Sequence, residues 1–204
     1  MSFLLFAASA ISLPTPGYRV ADYLSKKIDA SQLDRRGTWV AATVKLWIEP
    51  KGRITDCAIV RSLGEKGIVE KICPVLVGMR VKSPRDHKGE KSYGTMSMDF
   101  TAFADSLYGR RKEFTDALSA EPMPDDVDGE LAAEFATKLD DRYAVTLVVG
   151  SDGSVLACEK GGKLPANLTS QACELAGAKS YAIGRSEAGE PVSYVRLVRF
   201  VPPN

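Results

Sequence analysis

Apolar and polar residues alternate over two stretches of the chain, and each stretch ends in a turn that contains glycine. The apolar positions of the first stretch are Val40, Ala42, Val44, Leu46 and Ile48, and those of the second are Val145, Leu147 and Val149. A period of two is typical of a strand with one buried face. The turns Pro50-Lys51-Gly52 and Ser151-Asp152-Gly153 follow, and glycine can adopt the positive φ that closes a three-residue hairpin. We therefore predict two β-hairpins.

The two hairpins belong to a longer internal repeat. Lys51–Cys57 (KGRITDC) and Asp152–Cys158 (DGSVLAC) both place a glycine five residues before a cysteine. A segment with helical spacing of its apolar residues then carries a second cysteine, and a polar turn containing glycine precedes a last strand that ends at Phe100 or Phe200. Duplication of a hairpin, helix and strand unit explains this order.

Local signals mark the two helices differently. Asn167 or Thr169 is a candidate N-cap for the second helix. In the first helix, Pro74 removes one backbone hydrogen bond, so we expect a kink or a restart there.

These patterns predict an α+β fold of two tandem ββαβ units, each with a small antiparallel sheet packed on a helix. We place an apolar N-terminal segment at 1–20, the first unit at 21–103, a helical linker at 104–140 and the second unit at 141–204. Within these, 20–33 and 129–139 have helical apolar spacing. Residues 1–20 are either the remnant of an export signal or an apolar segment packed on the first unit.

Composition narrows the function classes. The chain has 204 residues with 27 basic and 26 acidic side chains, for a net charge of +1. This balance does not direct the protein toward nucleic acid or an anionic membrane surface. No apolar run reaches the roughly 20 residues that a membrane-spanning helix needs, so we expect no transmembrane anchor in this chain.

The four cysteines occur as one pair in each unit. Cys57 and Cys73, and likewise Cys158 and Cys173, have a spacing that does not match a CxxC redox or zinc motif. We predict two disulfides, each joining the return strand of a hairpin to the following helix, which implies an oxidising compartment. Buried free thiols or redox sensors are the alternative.

The sequence offers little for catalysis. His87 is the only histidine, and it lies in the charged segment Lys82–Lys91 without a neighbouring serine or cysteine to activate. We therefore assign it a structural or solvent-facing role, and we predict no enzymatic activity, no metal site and no cofactor.

The repeat resembles the C-terminal domain of TonB-type energy transducers, especially variants with cysteines on the second strand and the helix. The resemblance is carried by Gly52–Cys57, Arg61–Gly64 and Arg85–Gly89 in the first unit. In the second unit it is carried by Asp152–Val155, Cys158, Cys173 and Gly189–Val192.

The resemblance implies a periplasmic module that grips a protein partner by adding its extended segment to an exposed final strand. The partner would be the periplasmic segment of an outer-membrane transporter or another envelope protein, with a homodimer also possible. The implied binding edges are Lys91–Phe100 and Val192–Phe200. The candidate residues on them are Ser92, Tyr93, Thr95, Ser97, Val192, Ser193, Tyr194 and Val195. The alternative is a structural or assembly protein of the cell envelope, in which the two units pair their edges with each other or across a dimer.

Overall fold

The structure is a computed structural model, and it describes residues 11–15, 39–103, 143–162 and 164–201, together with 127–128 and the single residues Lys27, Lys112, Glu113 and Asp116. Apart from Lys27, the predicted helices at 20–33 and 129–139 lie outside the described residues, as does most of the predicted linker. Within the described residues no helix is long and apolar enough to span a membrane.

The chain forms a mixed α+β fold in which the element order repeats. In the first half β1 (Trp39–Ile48), β2 (Ile54–Gly64), α1 (Lys66–Leu76) and β3 (Tyr93–Phe103) follow one another. A short strand, β4 (Val127–Asp128), comes next. The second half contains β5 (Tyr143–Val149), β6 (Val155–Gly162), α2 (Ala166–Gly177), β7 (Gly184–Arg185), β8 (Pro191–Val192) and β9 (Tyr194–Val201).

Both predicted hairpin turns close on a glycine with positive φ. Gly52 has φ +82° and Gly153 has φ +84°. Each turn carries a backbone hydrogen bond from its glycine N–H, to Glu49 at 2.8 Å and to Gly150 at 3.0 Å. Each glycine also lies against a later loop, because an added Cβ would meet the carbonyl oxygen of Val81 at 2.3 Å or of Tyr181 at 2.4 Å. The two turns therefore need glycine for both conformation and space.

The strands of both halves join into one sheet rather than two. Its order is β2-β1-β3-β9-β5-β6, with β4 added beside β9. The pairs within each half are antiparallel, whereas β3 and β9 run parallel. β7 and β8 form a separate two-stranded ribbon.

The two helices lie on opposite faces of this sheet. Alternate residues of β1, such as Leu46 and Ile48, are fully buried in the core under α1. Trp47 points the other way, because neighbouring side chains in a strand face opposite sides. It packs against the core of the second half, which contains Ala172 and Ala176 of α2. The face of β1 that turns away from α1 is thus on the side of α2.

The helix ends correct two predictions. α2 begins at Ala166, with Pro165 as N-cap and no capping side chain, so neither Asn167 nor Thr169 serves this role. Pro165 has φ −60°, a value suited to the start of a helix. α1 continues through Pro74 to Leu76, so the helix does not restart there, and the expected kink stays a prediction. Since Pro74 is close to the helix end, few backbone bonds depend on it.

The predicted disulfides are present. Cys57 of β2 is bonded to Cys73 of α1, and Cys158 of β6 is bonded to Cys173 of α2. Each bond joins the return strand of a hairpin to the helix that follows. Such bonds persist in oxidising compartments outside the reducing cytosol.

Candidate protein-binding site

The starts of β3 and β9, which were predicted as free edges, pair with each other. Tyr93 is the register partner of Tyr194, and Gly94 is the partner of Val195. The adjoining Ser92 donates a long hydrogen bond of 3.5 Å from Oγ to the carbonyl oxygen of Ser193. At these positions the edge is occupied within the chain itself, which corrects the expectation of two free strand starts.

Aromatic rings fill the junction between the halves. The ring of Trp47 stacks on Tyr93 with centroids 5.9 Å apart, and it meets the edge of Tyr194 at 5.1 Å. Gly184 lies against this cluster, since a Cβ there would be 2.7 Å from both Trp47 and Tyr194. A substitution at this glycine would therefore displace the rings that hold the two halves together.

Beyond the junction, β3 and β9 separate. β3 stays paired with β1 along its whole length, as far as Phe103 with Trp39. Its pairing with β9 stops at Gly94. From Thr95 onward, no strand of the described chain pairs with the other edge of β3. Thr95 and Ser97 are the predicted binding residues on this part of the strand, and Ser97 is exposed.

Val192 has a different position from the one predicted. It belongs to β8 and pairs with Gly184 of β7 in the separate ribbon. Val192 and Ser193 are therefore placed before the long sheet strand, which starts at Tyr194.

Among the described strands, β2 and β6 form the outer edges of the sheet, and both are irregular. β2 has register shifts opposite Thr43/Val44 and Trp47/Ile48, and β6 has one opposite Val148/Val149. Bulges of this kind twist an edge and interrupt its hydrogen-bonding pattern. β3 pairs with β1 without such a shift, so its edge is the more regular template for an added strand.

The chain already takes up two of its own extended segments. Residues 12–15 bridge antiparallel to residues 82–85, and β4 pairs parallel with the end of β9 at Phe200 and Val201. Ile11 is buried with Val148 and Val195 on the second half of the sheet. Of the predicted segment 1–20, residues 11–15 thus contact both halves rather than the first unit alone.

A charged link also connects the halves. The Arg53 guanidinium contacts Glu49 at 3.2 Å and Glu187 at 2.6 Å. The hydrogen bond to Glu49 and the charge of Glu187 raise the pKa of Arg53 above its ordinary value. Because the side chains of Arg53 and Glu187 are substantially exposed, water and salt screen this link, so it orients the loop more than it stabilises it.

A cleft of about 460 Å³ opens beside this link. Its walls come from the face of β1, β2 and β3 that turns away from α1, and from the loop Ile183–Glu187. No pattern in the sequence predicted this cleft. The alternation along β1 does place Trp47 on the face opposite α1, but nothing local to β1 indicates what lies over it.

The described residues form no cluster of metal ligands. Among them, no three His, Cys, Asp or Glu side chains are grouped closely enough to hold a metal ion. His87 is exposed in the polar turn before β3.

Arg196 is buried in the second core, and its guanidinium carbon lies 4.6 Å from the Tyr181 ring centroid, a cation–π contact.

Comparison with protein-family models, curated proteins and solved structures finds no match to this chain.

Proposed function

We propose that this chain is a periplasmic protein-binding module, similar to the C-terminal domain of TonB-type transducers, that captures an extended partner segment by strand addition. The observation that carries the proposal is the edge of β3 from Thr95 onward, which no described strand covers. Backbone N–H and C=O groups on such an edge pair with an extended peptide.

The surroundings of β3 favour this use. The strand is held firmly by its full antiparallel pairing with β1, and Thr43 Oγ1 adds a 2.7 Å hydrogen bond to Asp99 across that pair. A rigid template binds at a lower entropic cost than a mobile one. The chain already holds two of its own segments, residues 12–15 and β4, by backbone pairing. This supports the same binding mode for a partner segment.

The disulfide bridges support the proposed compartment. The two disulfides favour an oxidising location, and in a protein that resembles TonB-type transducers this location is the periplasm. We propose the periplasm-facing segments of outer-membrane transporters as the partner class, in keeping with the resemblance, with TonB-dependent outer-membrane transport as the process served.

A peptide titration followed by NMR tests the proposal. Peptides that copy periplasm-facing transporter segments should shift the amide resonances of Thr95–Ala102. The amides of β2, Ile54–Gly64, are the internal control, because that outer edge is interrupted by two register shifts. An absence of shifts in β3 at millimolar peptide would refute capture on this strand.

A second candidate is supported by the junction itself. Pairing of Tyr93–Gly94 with Tyr194–Val195 is what a structural or assembly protein of the envelope would show if its two units covered each other's edges. In that case β3 would bind no transporter peptide, and breaking the aromatic junction with Trp47→Ala would impair assembly in the envelope rather than peptide affinity.

A further inference from the structure

The site that holds Ile11–Thr15 has two components, one from each half of the chain. The backbone of this segment pairs with the first half: Ser12 N–H donates to Arg85 O at 3.0 Å, and Arg85 N–H donates back to Ser12 O at 2.9 Å. Its apolar side chains face the second half, where Ile11 is buried against Val148 and Val195 with Ala157 beside them. An extended segment is thus held between a loop of one half and the sheet of the other.

The internal repeat supplies a second set of these components. In the second half, Val148 pairs with Ala157 on one side and Val195 on the other. In the first half, Trp47 of β1 has the corresponding position, since it pairs with Asp56 of β2 on one side and Thr95 of β3 on the other. The faces that turn away from the two helices therefore correspond residue for residue.

The loops correspond as well. Arg85 bridges Lys91 and its Nη1 donates to Gly89 O at 2.5 Å. Arg185 pairs with Pro191 and its Nη1 donates to Gly189 O at 2.8 Å. The stretch Ile183–Arg185 is thus the counterpart of the stretch that binds Ser12.

These counterpart residues surround the open cleft. Trp47, Asp56 and Thr95 form its floor and Ile183–Arg185 form its wall. Its volume of about 460 Å³ lies within the range of protein ligand sites. Ile183 is 47% exposed at the cleft, although large aliphatic side chains are usually buried. One of two equivalent sites is filled by the chain's own segment, and none of the segments that the structure describes fills the other.

We propose that this cleft binds an extended segment of a partner protein, with its backbone paired to Ile183–Arg185 and one apolar side chain placed on Trp47. The charges around the cleft are balanced, with Lys45 and Arg185 against Asp56 and Glu187. The occupant is therefore an uncharged segment, and its affinity depends little on salt. The cleft shares only Thr95 with the edge of β3, so the inference does not require the function proposed above.

The floor explains why the occupant differs from Ile11–Thr15. Val195 and Ala157 of the filled site are replaced by Thr95 and Asp56 in the open one. In the double variant Asp56→Ala with Thr95→Val, the two residues beside Trp47 become alanine and valine, as they are beside Val148 in the filled site. It should increase the affinity of the cleft for the chain's own sequence.

The test uses the full chain and the capped pentapeptide ISLPT, which copies residues 11–15. The protein has two tryptophans, so fluorotryptophan labelling gives two fluorine resonances, which a Trp39→Phe variant assigns. We expect the Trp47 resonance to shift saturably and the Trp39 resonance to stay in place. The double variant should bind roughly tenfold more tightly because both substitutions extend apolar contact.

A matched peptide, N-methylated at its serine, removes the donor equivalent to Ser12 N–H and should bind at least about tenfold more weakly. Equal affinity for both peptides would overturn backbone pairing. No saturable Trp47 shift at millimolar peptide, in either protein, would overturn the site. Shifts of the Val148 and Val195 methyls without a Trp47 shift would also overturn it, because the peptide would then have replaced Ile11–Thr15. Amides of Ser97–Ala102, which lie outside the cleft, report the proposed β3 function separately in the same samples.

Discussion

The two helices have equivalent places in the repeat but are held in different ways. α1 buries Ile68, Val69, Ile72 and Leu76 against its sheet. At the matching depth α2 buries only Ala172 and Ala176. The second core is completed by Trp47 and Tyr93, which come from the first half. A repeated backbone therefore does not need a repeated core, because the second half uses aromatic side chains of the first where its own helix has alanines.

The largest expected effect comes from removing buried apolar packing from α1. Ile72→Ala gives α1 the residue that α2 has at the equivalent position, Ala172, and leaves a cavity in a fully buried site. We expect a loss of about 3 kcal/mol in the free energy of unfolding, measured by chemical denaturation. Val77→Ala, at a side chain that is 46% exposed, is the control and should change stability by under about 0.5 kcal/mol. Equal effects would mean that α1 is not held by its core face.

Removal of the disulfides tests the same difference between the two helices, and here we expect the larger effect in α2. Each bridge closes a loop of similar length, with sequence separations of 16 and 15, so each should contribute about 3 kcal/mol in the chain-entropy model. Removal of Cys158 and Cys173 as a serine pair should speed amide exchange in α2 by roughly a hundredfold, because little apolar packing remains.

The serine pair at Cys57 and Cys73 is the matched control. α1 should keep most of its protection in that variant, since its four apolar side chains remain buried. Hydrogen exchange followed by mass spectrometry measures both. Loss of protection in α1 as large as that in α2 would contradict the proposed difference.

Substitution of the hairpin glycines tests whether the turns of both halves require glycine for conformation and space. Gly52→Ala forces a positive φ on alanine and places its Cβ 2.3 Å from Val81 O. We expect a cost of at least about 2 kcal/mol. Gly89→Ala has a similar φ of +77° but open space around the Cβ, so it should cost only about 1 kcal/mol.

The second half provides the replicate. Gly153→Ala, whose Cβ would meet Tyr181 O at 2.4 Å, should exceed Gly189→Ala in the same way. Thermal or urea unfolding of the four variants gives the comparison. A large difference in one half and none in the other would show that the two turns are not equivalent.

The smallest expected effect concerns the carboxylate of Asp152, which has no counterpart in the first hairpin turn. Ser154 donates to Asp152 from its hydroxyl at 2.6 Å and from its backbone N–H at 2.9 Å. These hydrogen bonds lower the pKa of Asp152. A lowered pKa in the folded state contributes stability above the ordinary aspartate pKa of about 3.9, and that stability is lost as the pH falls through the folded-state pKa.

Asp152→Asn should therefore narrow the difference in stability between pH 5 and pH 2 by a small amount, since the turn is exposed. The first turn has Lys51 in this place and no equivalent carboxylate. An NMR titration of the Asp152 carboxyl carbon checks the pKa directly, and a midpoint at or above the ordinary value would contradict the argument.

Local features of the fold could be predicted because they depend on neighbours in sequence. Alternation along β1 and β5, the glycine at each turn and the spacing of each cysteine pair all act over a few residues or one unit. The hairpins and the disulfides follow directly from them. The N-cap of α2 was not predicted correctly, because Asn167 and Thr169 are residue types preferred at an N-cap, whereas the helix starts directly after Pro165 without a capping side chain.

The candidate binding surfaces were only partly predictable. The final strands were identified as edges from the repeat, but their pairing at Tyr93–Gly94 and Tyr194–Val195 depends on how the two units meet. Nothing near Trp47 in the sequence shows that Gly184, far along the chain, leaves room for its ring.

The sequence by itself therefore determined the repeated unit, its two hairpin turns and its two bridges, because short-range backbone preferences and local covalent links specify them. Only the tertiary structure decided that the units share one sheet, that α1 and α2 lie on opposite faces of it, and that Ile11–Thr15 contacts both halves. The physical reason is that strand edges pair through backbone groups common to every residue. Which edge meets which is set by side-chain packing between distant parts of the chain.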